Sequence, residues 1–305
     1  MRFKIHRSGL QTHIQGQPRD GFAHYGISPS GPADIIAYHH GNYLVHNKMN
    51  AASLEITLLG PHIEFLDAGY IAITGSKFLT KINNRDILYN RPIKIEKGQM
   101  LDIGSAIDGA RCYLSIAGGI DVENFLSSKS THLETGVGGL NGRALKKNDI
   151  VSCHSNNVRS DIKRIKVKYD MNRTKIFINK GLQHNFFSND DWRIFLNNEY
   201  TVSSKSNRMG IRLESGNKLN KVNDIITEGI PLGAIQVPPN GLPIISFVEH
   251  QTTGGYPKIA NVIAYDIPKL GQLMPGDKFN FELIDFEQAI KLKNEMNILL
   301  NKLHD

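Results

Sequence analysis

Three stretches crowd arginine, amide, hydroxyl and glycine residues into single loops, a mixture suited to holding a small polar compound. They are "IQGQPRDGFAHYGISPSGPAD" (Ile14–Asp34), "SNRMGIRLE" (Ser206–Glu214) and "TEGIPLGAIQVPPNGLPIISFVEHQTTGGYPKI" (Thr227–Ile259). The first carries Gln15, Arg19, His24, Ser30 and Asp34. The second carries Asn207 and Arg208, and the third Gln236, Gln251, Thr252, Thr253, Tyr256 and Lys258. A guanidinium fork matches carboxylates and carbonyl oxygens, while Gln and Thr supply directional hydrogen bonds. One such loop is commonly a connector whose arginine pairs with a carboxylate; three in one chain point to a small-molecule site. "QTTGGYPK" (Gln251–Lys258) reads either as the wall of that site or as a tight hairpin over Thr252–Tyr256.

The better-known chemical motifs do not fit. "TGVGGLNGR" (Thr135–Arg143) lacks the Lys-Ser/Thr ending of a P-loop. Its glycines run on into Arg143–Asp149 and a further strand, so it reads as a glycine-rich β-loop rather than a dinucleotide fingerprint. The twelve histidines include His39, His40 and His46, but at no metal-binding helical spacing. No metal site is expected. A Gly-x-Ser-x-Gly elbow does not occur, and Cys112 lies mid-strand as a buried thiol.

The elements that must position these loops are mostly strands. Apolar runs recur between turn residues at Leu54–Leu59, His62–Leu66, Tyr70–Thr74, Phe78–Ile82, Pro92–Ile95, Met100–Ile103 and Arg111–Ile116. Lys97-Gly98-Gln99, Lys147-Asn148-Asp149 and Pro275-Gly276-Asp277 each place a residue tolerant of positive φ before a strand. Helices are few. Asp34 caps one over Ile35–His46, and His184–Asn198 reads as an aromatic helix packed on a barrel. A C-terminal helix begins at Asp285 with Gln288 three residues on, followed by Phe286, Ala289, Ile290, Met296, Leu299, Leu300 and Leu303 at helical spacing. The expected class is mainly β, with two β-rich domains. The polar stretch between Cys153 and Asn172 sets the boundary near residue 160, giving domains 1–160 and 161–305.

Bulk composition bounds the rest. The chain has 305 residues, 40% of them hydrophobic and 21% charged, ordinary globular proportions. Its two cysteines, Cys112 and Cys153, are too few for a disulfide framework, and no apolar run is long enough for a membrane span or a signal peptide. A cytoplasmic protein is expected. The formal charge of +7 raises nucleic acid as a partner, but the one dense run, Lys163–Lys168, alternates like a solvated edge strand.

The order "SGPAD", "LEITLLGP", "YLSIAGGID", "GGLNGRALKKND", "SNRMGIRLE", "EGIPLGAIQVPPNGLPII", "QTTGGYPKIA", between Gly9 and Phe281, resembles the biotin-dependent carboxyltransferase-like family. That family includes the C subunit of bacterial ATP-dependent 5-oxoprolinase, the antagonist of a sporulation kinase inhibitor, and half of the carboxyltransferase part of urea carboxylase. The resemblance implies two domains with cyclophilin-like barrel character. For the oxoprolinase members it implies opening of 5-oxo-L-proline to L-glutamate, with ATP as a substrate of a complex. The partners it implies there are a kinase-inhibitor-like protein of the B type and a protein of the A type. The alternatives it leaves are a regulatory binding module and one chain of a biotin-dependent amide or urea carboxyltransferase. No biotinyl lysine is encoded, since Asn47-Lys48-Met49-Asn50 lacks the paired methionines.

On this resemblance Lys258 and Arg208 are the expected catalytic residues, acting on oxygen charge and on an anionic group. Arg19, Ser30, Asp34, Asn207, Gln236, Gln251, Thr252, Thr253 and Tyr256 are the expected substrate-binding residues. Three segments depart from the family pattern. Gly16 and Asn207 replace aspartates, and Glu249-His250 replaces Asp-Arg. Substrate binding is therefore easier to assign here than acid–base chemistry.

Overall fold

A computed structural model describes residues 1–155, 167–220 and 224–303. The chain divides into two compact units. The first comprises Met1–Arg19, Ser30–Lys168 and Leu299–Asp305, the second Asp20–Pro29 and Tyr169–Ile298. Most of the basic run read as an edge strand lies outside the described residues.

The first unit is built on one nine-stranded antiparallel sheet. In chain order it contains β1 (Arg2–Arg7), β2 (Gln11–Gln15), helix α1 (Ile35–Leu44), β3 (Ser53–Thr57), β4 (His62–Phe65), β5 (Gly69–Ile82), β6 (Arg85–Asp86), β7 (Pro92–Ile95), β8 (Met100–Ile116) and β9 (Ile150–Ser152). The path β2-β3-β8-β4-β1-β9 forms its body, and β5 pairs with β6, β7 and β8. Phe3, Ile5, Leu54, Ile56, Ile63, Phe65, Leu101 and Leu114 are fully buried on the core face. Pairs of runs that read as separate strands are single long ones: Tyr70–Thr74 joins Phe78–Ile82 in β5, and Met100–Ile103 joins Arg111–Ile116 in β8. The polar residues between them sit where the β5–β8 register shifts, between Gly75 and Thr80, so they mark bulges rather than strand ends.

Helix α1 is buried along most of its length. Asp34 caps it, accepting from Ala37 N at 3.0 Å. It stops at Leu44, two residues before the expected end; His46 already has φ +54°. Its entry is pinned by polar groups within the core. Tyr113 OH donates to Glu55 Oε2 (2.7 Å) and accepts from Asp34 N (2.8 Å), while Ala33 N donates to the same Glu55 oxygen (2.8 Å).

The second unit contains β10 (Lys175–Lys180), α2 (Asn189–Asn197), β11 (Tyr200–Val202), β12 (Gly210–Glu214), β13 (Glu228–Gly229), β14 (Ala234–Gln236), β15 (Ile244–Ser246), β16 (Thr253–Gly254), β17 (Lys258–Val262), α3 (Ile267–Gly271) and β18 (Lys278–Leu283). Helix α4 (Phe286–Lys302) follows. Seven strands close a barrel in the order β10-β17-β14-β15-β12-β11-β18, and the seam between β10 and β18 is parallel. Phe281 lies 4.9 Å from Phe195, 5.0 Å from Tyr200 and 5.2 Å from Phe279, ring centroid to ring centroid, giving this unit an aromatic core. The α2 helix starts later than its aromatic content indicates, because Ser188 and Asp191 form a capping box and the residues before it make a short 3-10 turn at His184–Phe186. Asp285 and Gln288 cap α4 in the same way, with Gln288 N donating to Asp285 Oδ1 at 2.7 Å. The three expected strand-preceding turns have left-handed backbone at Gly98 (φ +83°), Asn148 (φ +74°) and Gly276 (φ +91°).

Candidate functional site

A groove of about 590 Å³ lies over the outer face of the β12-β15-β14 part of the barrel, opposite the buried Ile211, Ile245 and Ile235. Its wall comes from the start of β12, the bulged end of β14, the Pro238–Asn240 turn and the segment 250–256. It gathers four of the residues expected to bind substrate: Asn207, Gln236, Gln251 and Tyr256. Among the described residues the lining contains no carboxylate, and Arg212 is its only permanently charged group.

Each lining residue is held by local geometry. Asn207 Oδ1 accepts from Met209 N (2.9 Å) and Gly210 N (3.2 Å), the self-turn that aspartate or asparagine makes, so the neutral residue keeps the loop shape without a charge. Gln236 Nε2 donates to Ser246 Oγ at 3.0 Å. His250 is buried, and its Nδ1 lies 2.8 Å from Gln251 O. A carbonyl only accepts, so Nδ1 carries the hydrogen and Nε2 keeps its lone pair. Burial also holds this imidazole below its usual pKa, outweighing the opposite pull of the Gln251 carbonyl. The groove thus contains a neutral histidine with an accepting nitrogen.

The two residues expected to be catalytic are elsewhere. Arg208 is 3% exposed, and its Nε donates to Glu249 Oε1 at 2.5 Å. Glu249 N donates in turn to Arg208 O (2.8 Å) and Phe247 N to Met209 O (3.0 Å), so this ion pair joins the two loops that flank the groove. Lys258 is also buried. Its ammonium lies 2.6 Å from Glu228 Oε1, the oxygen that accepts from Gln183 Nε2 at 2.9 Å. The Lys258 hydrogen bond first, then that of Gln183, hold the Glu228 carboxyl below the usual range. Glu228 lies on β13, which pairs with β16 through Glu228–Gly254 and Gly229–Thr253. Neither Thr252 nor Thr253 lines the groove: Thr252 O accepts from Ile230 N at 3.0 Å, and Thr253 belongs to β16. The 251–258 segment is therefore not the tight hairpin that Thr252–Tyr256 suggests: Thr253 and Gly254 pair with the distant Glu228 and Gly229, and Gln251 and Tyr256 line the groove.

Arg19, Ser30 and Asp34 belong to the first unit. Arg19 Nη2 donates to Ser130 O (2.5 Å), Ser30 Oγ donates to Thr131 O (2.7 Å), and Asp34 caps α1. All three are almost fully buried.

Sequence reading missed Arg212, Ser246 and His250. Arg212 is exposed on β12, where alternation turns it from the buried face that holds Ile211 and Leu213. That alternation was the available signal: of the two arginines in "SNRMGIRLE", the one within the strand is the outward one. For His250 no sequence pattern distinguishes a groove histidine from a core one.

A model of the carboxyltransferase domain, subdomain A and B, matches residues 25–283. The chain is 35% identical over 302 residues to the C subunit of the 5-oxoprolinase of Escherichia coli, covering 98% of this chain and 97% of that one. It is 30% identical over 320 residues to urea amidolyase of Saccharomyces cerevisiae, covering 97% of this chain but 17% of that protein. The structure of Kluyveromyces lactis urea carboxylase superposes with a TM-score of 0.91 at 29% identity, over 99% of this chain and 29% of that one.

Proposed function

Because this chain belongs to the family of carboxyltransferase domains with subdomains A and B, we propose that it is the C subunit of an ATP-dependent 5-oxoprolinase. The observation that carries this reading is coverage. The likeness to the 5-oxoprolinase chain spans both proteins nearly end to end, whereas the urea enzymes match as one piece of a much longer chain.

The groove suits such a substrate. 5-Oxoproline is a small lactam with one carboxylate. The Arg212 fork takes the carboxylate, and the Gln236, Asn240 and Gln251 amides hydrogen-bond the lactam N–H and C=O. Amide resonance makes that carbonyl a poor electrophile. Phosphoryl transfer from ATP to its oxygen makes the carbon reactive. Water then adds, and the ring C–N bond breaks with the nitrogen taking up a proton and an acyl phosphate remaining. A second water releases phosphate and leaves the glutamate carboxylate. For this chain's share of the chemistry we assign His250 Nε2, the ring nitrogen left with a lone pair when Nδ1 donates to Gln251 O, to accept a proton from the attacking water. ATP handling is assigned to the assembled complex with A-like and B-like partners. The Arg208–Glu249 and Lys258–Glu228 pairs act as positioning groups for the loops that carry the groove.

The test is ATP turnover driven by 5-oxoproline, measured with this chain and its partners and again with the chain omitted. Glutamate formation that requires the chain supports the reading. Equal turnover without it overturns the reading. A second reading, carboxyl transfer to an amide or urea, is favoured by the TM-score of 0.91 to urea carboxylase. Bicarbonate-dependent ATP turnover that needs a biotin carrier, with none from 5-oxoproline, is the outcome that selects it.

A further inference from the structure

We propose that the first unit carries a second binding site, for a phosphate-bearing anion, in a hollow of about 550 Å³ that the reaction proposed above does not use. Its walls are the segment after α1 with Asn47 and Lys48, the Gly118-Gly119 turn, and the 124–129 segment with Ser127 and Lys129; His154 completes them. Among the described residues the lining holds two lysines and two histidines and no carboxylate.

The cationic groups are underused. Lys48 is exposed and has no carboxylate partner among the described residues. Lys129 Nζ lies 3.3 Å from His154 Nε2, and the same nitrogen lies 3.3 Å from Asp121 Oδ1. One ring nitrogen cannot serve both neighbours at once. When it bears a hydrogen for Asp121, it leaves the Lys129 ammonium facing an N–H. An anion in the hollow gives that ammonium an acceptor.

The walls are also fixed in place. Phe125 and Ser128 exchange backbone hydrogen bonds (2.8 and 3.1 Å) around Leu126 and Ser127, whose φ angles of +48° and +62° are both left-handed. Leucine rarely adopts that conformation, and it persists here because the surroundings enforce it. Buried Arg19 donates to Ser130 O beyond the turn and to Phe125 O within it, with its guanidinium 5.5 Å from the centre of the Phe125 ring. Ser128 Oγ donates to Gln17 O at 2.6 Å. The loop "IQGQPRDG", which the groove does not use, thus braces the wall that presents Ser127 and Lys129. On the opposite side Asn47 Oδ1 accepts from Gly118 N (2.7 Å), and Asn47 Nδ2 donates to Ile116 O (2.8 Å). Lysines act as point charges rather than planar forks, so with hydroxyl and amide donors around them they suit a phosphate group better than a flat carboxylate.

The test is a titration of the purified chain with inorganic phosphate and with pyrophosphate at constant ionic strength, following the backbone amide resonances of Gly118, Gly119 and Ser127. Chloride serves as the control. Saturable shifts at these residues are expected, and Lys48→Gln and Lys129→Gln are each expected to weaken binding by about tenfold. Both lysines are at the surface, so these variants keep the fold. Arg212→Lys, in the second unit, is expected to leave the titration unchanged. Displacement of phosphate by ATP identifies the bound group as part of a nucleotide; phosphate binding that ATP does not displace identifies the free anion as the ligand. Shifts that chloride reproduces at equal ionic strength, or unchanged phosphate binding in the double lysine variant, overturn the proposal.

Discussion

Two arginines four residues apart do different work, and burial separates them. Arg208 is shut in against Glu249, so Arg208→Met leaves a carboxylate buried without its partner and is expected to cost about 3–5 kcal/mol of stability, read by chemical denaturation. Arg212 is exposed in the groove. Arg212→Lys keeps the charge and loses the fork, so stability is expected to stay within about 0.5 kcal/mol while the KM for 5-oxoproline rises by about tenfold. A variant pair that behaves the other way round would exchange the two roles. His40 gives a pH prediction. Burial lowers its pKa from 6.5 to about 4, so the unfolded chain takes up its proton first as the solution is acidified. Its contribution is fully present above pH 6.5 and is lost as the pH falls toward 4, a change of about 3 kcal/mol. His40→Leu removes that dependence. Urea midpoints measured at neutral pH and at about pH 4.5 are therefore expected to lie closer together in the variant than in the parent.

At the scale of elements, caps and ladders decide what the groove is made of. Ser188→Ala removes one half of the α2 capping box and is expected to cost about 1 kcal/mol. Asp191, the other half, also accepts from Asn220 N and Nδ2 (2.9 and 3.0 Å), so Asp191→Ala is expected to cost more than Ser188→Ala in the same denaturation series. Lys258→Met removes the cation that holds Glu228. It is expected to speed hydrogen exchange at the Ile225 and Ile230 amides, which donate to Gly255 O and Thr252 O, before it changes global stability. These same elements show how far sequence reaches. Helix caps at Asp34 and Asp285 are legible because a cap is a local hydrogen bond between near neighbours. The left-handed turns at Gly98, Asn148 and Gly276 are legible for the same reason. The long strands β5 and β8 are not, because a bulge and a turn use the same small polar residues, and only the partner strand distinguishes them. The site is partly legible. Asn207, Gln236, Gln251 and Tyr256 do meet in one groove, but which of Arg208 and Arg212 reaches it depends on strand alternation beginning at Gly210, and Glu249 claims Arg208 only once β12 and β15 pair.

For the molecule as a whole, the groove's lining among the described residues contains amides, one arginine and one histidine, with no lysine and no carboxylate. The isolated chain is expected to bind 5-oxoproline weakly and to show no ATP-dependent ring opening, and addition of B-like and A-like partners is expected to restore it. A stable complex of this kind buries at least ~1,000 Å². Ring opening by the purified chain alone would remove the need for partners. The parallel seam of the barrel has a consequence for how the molecule comes into being. Lys175 pairs with Asn280 and Ile178 with Leu283, so the strand that opens the barrel waits for the one that ends it, about a hundred residues later. Until Leu283 has been synthesised, β10 offers an unpaired edge to any other extended chain nearby. Closure across such a separation is slow, because the loop entropy is spent before the contact forms. A chain cut anywhere before β18 therefore carries an open barrel with one edge of β10 unpaired, the kind of edge that seeds association.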